Sequence, residues 1–169
     1  RPVTVTVQGR FQVNSARAAV ELAIKGCGLA YVPRFALREA LAAGLATACT
    51  DAQAVYAYAN SNFKSRWPIV RVMSRGSERP PMTGAGIRSR FVFLVDVWGL
   101  FKGEGWTEQQ AEDTLDALEQ QVIGWLTENQ GGELWTNIYY GLPSTVDVVK
   151  IAGEPWLTEA IQVIAEVYG

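Results

Sequence analysis

The sequence predicts an α+β domain: a mostly antiparallel sheet with a long amphipathic helix packed on one face, preceded by a β-α-β-like N-terminal extension. Three observations predict it. The stretch from Ile87 to Phe101 (IRSRFVFLVDVWGLF) alternates almost strictly, with Ile87, Phe91, Phe93, Val95, Val97 and Phe101 on one face, the period of a strand that buries one side. Ala111, Leu115, Leu118, Val122 and Leu126 recur at helical spacing and place one apolar stripe along a helix. The final third alternates again, over TVDVVKI and over Leu157 to Tyr168, with turn residues between the two runs, as paired strands do.

In chain order, Val3–Gln8 (VTVTVQ) reads as a strand. Asn14-Ser15 offers an N-cap for the helix ARAAVELAIKG, and Leu29–Val32 reads as a second strand. Pro33 opens the helix FALREALAAG, which Gly44 is expected to end. Val55–Tyr58 is a short strand, and PIVRVMS from Pro68 is another. A loop rich in Gly, Pro and Arg then leads to the long strand at Ile87. Thr107 and Gln110 have capping-box spacing at the head of the long helix, which Asn129 to Gly132 stops. Gly153-Glu154-Pro155 reads as the last turn. The segment after it also fits a helix through Leu157, Ile161, Ile164 and Tyr168, but its β-branched residues favour a strand. Residues 1–33 thus form an extension and residues 34–169 the main domain.

Composition narrows the function. Of the 169 residues, 49% are hydrophobic and 19% charged, which excludes a wholly disordered chain. A chain of this length buries on the order of 70% of its unfolded surface and needs no disulfides to hold a core. The net charge of −2 argues against a dedicated nucleic-acid binder. No apolar run nears the roughly 20 residues of a membrane span, and no secretory signal is visible. With no histidine and two cysteines, a four-ligand zinc site and Ser-His-Asp or Cys-His catalysis are excluded. Cys27 and Cys49 read as reduced, buried thiols.

Two charged clusters stand out. The loop Ser74 to Arg90 carries Arg75, Arg79, Arg88 and Arg90 against the single acid Glu78. It lacks the Lys-Ser/Thr ending of a phosphate-binding loop. A solvated hairpin tip, a contact with a neighbouring subunit and, less favoured, a contact with DNA all fit it. Glu108, Glu112, Asp116 and Glu119 share one helix face; without histidine or a facing acidic motif, solvation suits that face better than metal ligation. The second face of the long strand, with Trp98 and Leu100, is too apolar to lie wholly in water. It suits either packing within the domain or contact with another subunit. The six tryptophans fit interface anchors and core packing equally well.

From Ala36 onward the order of motifs is similar to the tail terminator (tail completion) proteins of long-tailed phages. The matching segments are ALREALAAG, VYAY, the WPIVRVMSRGSERPPMTGAGIRSRFVFLVDVW block, GWTEQQAEDTLDALEQQV, STVDVVKIAGEPW and EAIQVIAEVY. The resemblance implies a virion structural protein with no active site and no cofactor. It also implies a hexameric ring that caps the tail tube and joins it to the head-tail connector, placed in the phage tail or neck and, during assembly, in the host cytoplasm. Under that reading Arg75, Arg79, Arg88, Arg90, Trp98, Leu100, Glu108, Glu112 and Asp116 are the expected subunit-interface residues. Arginine meets acid across the contact, and Trp98 and Leu100 supply buried area. Residues 1–49 resemble instead part of the effector-binding domain of LysR-type transcriptional regulators, with PVTVTVQGRFQVNSARAAVELAIKGCGLAYVPRFALREALAAG as the matching run. That resemblance implies small-molecule recognition near Asn14, Ser15 and Gly26 to Val32.

Overall fold

This computed structural model describes residues 34–60, 66–78, 88–101, 105–141 and 143–168. Over those residues the chain runs α1 (Arg34–Ala48), β1 (Ala54–Tyr56), β2 (Ile69–Glu78), β3 (Arg88–Leu100), α2 (Glu108–Glu128), β4 (Asn137–Tyr140), β5 (Thr145–Ile151) and β6 (Glu154–Tyr168). These six strands form one sheet in the order β1-β2-β3-β6-β4, and β5 also pairs with β6. The protein is therefore α+β, and every strand pair except β1–β2 is antiparallel. The expected strand, helix and strand of residues 1–33, with Cys27 and the LysR-like segment before α1, lie outside the described residues.

The long alternating strand is central. β3 pairs with β2 on one side and, from Arg88↔Tyr168 to Leu100↔Trp156, with β6 on the other. Its odd-numbered face, with Phe91, Phe93, Val95 and Val97, joins Leu115, Leu118 and Val122 of α2 and Leu37, Leu41 and Leu45 of α1 in the main core. Its even-numbered end goes the other way. Trp98 and Leu100 pack with Ile69 and Trp156 in a second, smaller cluster. Both faces of this end of the sheet are thus apolar, which is why Ile69, Val70, Arg71 and Val72 are all buried in succession.

Helix α2 starts where its capping residues lie. Thr107 is the N-cap, its side chain accepts from the Gln110 backbone N–H, and Gln110 reaches back to the Thr107 N–H. The buried residues of α2 are Ala111, Leu115, Leu118, Val122 and Leu126, the stripe read from the sequence. At its end the Asn129 amide donates to the Trp125 carbonyl at 2.8 Å.

Three local expectations are corrected. Gly44 does not end α1, which continues to Ala48. A Cβ at Gly44 would overlap the indole of Trp125, so the glycine is where the two helices approach. The last turn is Ala152-Gly153 rather than Gly153-Glu154-Pro155: Ile151 pairs with Glu154, and both central residues have positive φ (53° and 92°). That is the type I′ geometry a two-residue hairpin requires. Finally, the loop expected from Ser74 is strand as far as Glu78, where β2 ends; β4, only four residues long, has too short an alternation to announce itself.

Phe93, wholly buried between the sheet and the helices, sets a stability test. Phe93→Ala should cost about 3–5 kcal/mol, read as a lower midpoint in urea unfolding. Gly44→Ala should cost about 1–3 kcal/mol through overpacking against Trp125, despite alanine's better helix propensity; a gain in stability would show that the helices separate freely.

Candidate subunit interface

The two helices lie on one face of the sheet, α1 against β1 and β2, α2 against β3, β6 and β4. One flank of α2 meets α1: Trp125 lies on Gly44, and the Gln121 amide donates to Asp51 at 2.6 Å. The opposite flank looks toward β4 and the segment after it, because Glu119 and Ile123 share a cleft of about 510 Å³ with Tyr140, Ser144 and Ile161. Glu108, Glu112 and Asp116 stand on the same helical stripe as Glu119, at spacings of four, four and three residues. All three are exposed.

Beyond that flank none of the described helices covers the sheet. Every residue of β5 except Ile151 is exposed, and among the described residues its outer edge has no strand beside it in the sheet order. Val146 and Val148 are 56% and 53% exposed. They sit opposite Glu159 and Leu157 of β6, so they extend the helix-side face past the end of the helix layer. Val149 and Tyr140 add apolar surface along the same edge. Of the six large hydrophobic residues exposed in the described residues, these are four.

Glu159 is the chemical oddity of this region. It is buried on the core side of β6, opposite Val97 of β3 and Val146 of β5, and is 4% exposed. Burial pushes its carboxyl above the ordinary glutamate range; the Ser144 hydroxyl, donating to it, pulls it partly back, and Glu119 and Asp116 raise it further. Among the described residues no arginine or lysine forms an ion pair with Glu159, Glu119 or Asp116.

The arginines divide by role. Arg75 is exposed and occupies the bulge between Ser74 and Gly76 where β2 slips against β3. An extra residue there aims its side chain out of the ladder. Arg90 is turned inward instead. It pairs with Glu78 at 3.2 Å and with the buried Glu166 at 3.4 Å, and donates to the Tyr139 hydroxyl at 3.1 Å, which itself donates to Glu166 at 3.0 Å. Its pKa is raised, chiefly by Tyr139. That row ties β2, β3, β6 and β4 together within one subunit, so Arg90 is a brace rather than a free contact group. Arg79 lies outside the described residues, and Arg88 begins β3, its backbone opposite Tyr168.

Trp98 and Leu100, expected to supply area to a neighbouring subunit, are 6% and 5% exposed within the chain itself. Trp98 also carries the Arg71 guanidinium over its ring at 4.4 Å, and Arg71 pairs with Asp96 at 2.8 Å and donates to the Asn60 carbonyl at 2.9 Å. A buried arginine needs such an acid and ring beside it, and these residues are committed to holding it. Among the described residues the exposed apolar surface is instead the β5 edge, which its alternating valines signal only as a strand.

Cys49 is a buried, free thiol whose pKa is pushed up to about 11 by burial and by Asp51. Among the described residues no cation lowers its pKa as a nucleophilic thiolate needs. Among the described residues no group of three or more His, Cys, Asp or Glu side chains is placed to hold a metal ion, and no helix is long and apolar enough to cross a membrane. The sequence matches no protein-family model and no curated protein.

Two measurements check this electrostatic picture. Glu159 has a raised folded pKa, so the fold favours its protonated form. That stabilisation is present below the unfolded glutamate pKa and is lost as pH rises through the folded value. The urea midpoint of the native protein should therefore fall, relative to Glu159→Gln, as pH is raised from about 4 to neutrality; parallel profiles would refute the assignment. Cys49 should react with a thiol reagent at neutral pH only on unfolding.

Proposed function

We propose that this protein is a structural component of a long-tailed phage virion, a tail terminator that assembles into a ring, capping the tail tube and joining it to the head-tail connector. The observation that carries the reading is the open β5 edge. A seven-residue strand with exposed valines and, among the described residues, an unpaired outer edge is a template for addition of another chain, and it lies across the sheet from the flank that carries Arg75. Two unlike surfaces on opposite flanks suit a head-to-tail contact, which closes into a ring when the rotation per subunit allows. Six subunits follow from the resemblance to the terminator family. The work is binding and positioning, with self-association first and the tube and connector proteins as further partners, and no reaction is assigned.

Sedimentation velocity tests it, alone and with the tube end supplied. The native chain should sediment near six subunits in at least one of the two conditions. Val148→Lys, which places a charge on the open edge, should weaken assembly by about tenfold or more while changing the unfolding free energy by less than about 0.5 kcal/mol. A native chain that stays monomeric with the tube end present would overturn the terminator reading.

A further inference from the structure

We propose that the cleft beside Glu119 and Glu159 is a socket for Arg75 of a second copy of this chain, with the exposed valines of β5 forming the apolar wall of the same contact. The inference rests on the ring reading and names the surface that closes it. The cleft lies between α2 and the β4–β5 junction, walled by Glu119, Ile123, Tyr140, Ser144 and Ile161. It is wide enough at about 510 Å³ for a guanidinium and its stem. Two of its lining residues, Glu119 and Ser144, hydrogen-bond the buried Glu159, whose other charged neighbour is Asp116. These acidic groups crowd together without a cation of the described residues, and an arriving guanidinium offsets that crowding with the planar, forked geometry that carboxyl oxygens accept.

The complementary group is on the other flank. Among the described residues, Arg34, Arg66, Arg75 and Lys150 carry exposed cations, and Lys150 belongs to β5 itself. Arg75 alone of the others projects from a strand locked in sheet register, at a bulge, and rigid elements place a side chain more accurately than loops or helix ends do. Arg75 also has no acidic partner of its own among the described residues. It cannot reach the cleft of its own subunit. β3 and β6 stand between β2 and β5, a separation of about 14 Å at the usual strand spacing. The contact is therefore between copies.

The test is a charge swap read by sedimentation, with urea unfolding as the check on folding. Arg75→Glu and Glu119→Arg should each weaken assembly by about thirtyfold or more, and the double variant should recover most of the loss. Glu119→Gln, which keeps the helix and removes only charge, should weaken assembly as well and guards against misfolding of the reversed variant. Arg34→Glu and Arg66→Glu should assemble normally. An Arg75→Cys, Ser144→Cys variant should be linked into a ladder of copies by a bismaleimide about as long as the arginine stem it replaces, since a disulfide needs a closer approach and the two positions within one chain lie on opposite sides of the sheet. If the native chain forms rings and the single reversals do too, or the double variant is no better than the worse single, the socket is wrong and the ring reading stands. If the native chain forms no ring with the tube end present, both fall together.

Discussion

The antiparallel register between β3 and β6 is the constraint on which the rest depends. Thirteen residue pairs, from Arg88↔Tyr168 to Leu100↔Trp156, put the C-terminal strand in the middle of the sheet. Period-two alternation then decides everything on the two faces. Phe91, Phe93, Val95 and Val97 look one way with Leu157, Ile161, Val163 and Ala165, and the helices cover them. A slip of one residue would turn that set outward and bury Arg90, Asp96 and Glu166 against the helices instead. Because β6 extends past its pairing with β4, it has an outer edge left to fill. β4 takes the end near Glu166 and β5 the end near Glu154. The edge left open among the described residues is a consequence of this length mismatch.

The charges that do enter the sheet are held by the same register. Arg71 stands directly opposite Asp96, and Arg90 stands between Glu78 and Glu166 on its two neighbouring strands. Cross-strand pairing puts these groups within reach of each other before any side chain moves. Breaking a buried pair leaves an unneutralised charge in the sheet, a cost of about 3–5 kcal/mol, whereas the intact pair contributes little over an apolar replacement. The pairs thus oppose any alternative register more than they add stability. Glu159 is the exception on this sheet: it is buried with acids for neighbours.

Much of this was legible in the sequence, and the parts that were not have physical causes. The central strand and the α2 stripe were plain because their periods run for many residues. The strand at Leu157–Tyr168 was legible from its β-branched residues despite a competing helical pattern. Gly44 was misread because a glycine near the end of an apolar helix pattern looks like a C-cap. Only the tertiary approach of Trp125 shows why a side chain is missing there. Of the expected interface residues, Arg75, Glu108, Glu112 and Asp116 are exposed, while Trp98 and Leu100 are buried and Arg90 is engaged internally. An apolar second face on a long strand carries no mark of whether another chain or its own covers it. The role of β5 was hidden for a related reason. Alternation in TVDVVKI reports a strand, and whether its valines are covered depends on where the helix layer ends.

The geometry also orders the contributions a self-contact on this surface would make. Exposed ion pairs are worth about 0–1 kcal/mol each, so Glu108, Glu112 and Asp116 at the rim add little to affinity. Withdrawing Val146 and Val148 from water is worth up to about 1.5–3 kcal/mol each, and pairing the β5 edge satisfies backbone groups that water otherwise solvates. Area and edge pairing therefore set the strength of association. Backbone pairing alone tolerates slippage along the strand, because its repeat is every second residue. The cleft beside Glu119 at one end of β5 does not repeat. A single arginine entering it would fix the register, and hence the rotation between neighbouring subunits, which is the quantity that decides whether a head-to-tail contact closes or runs on as a filament.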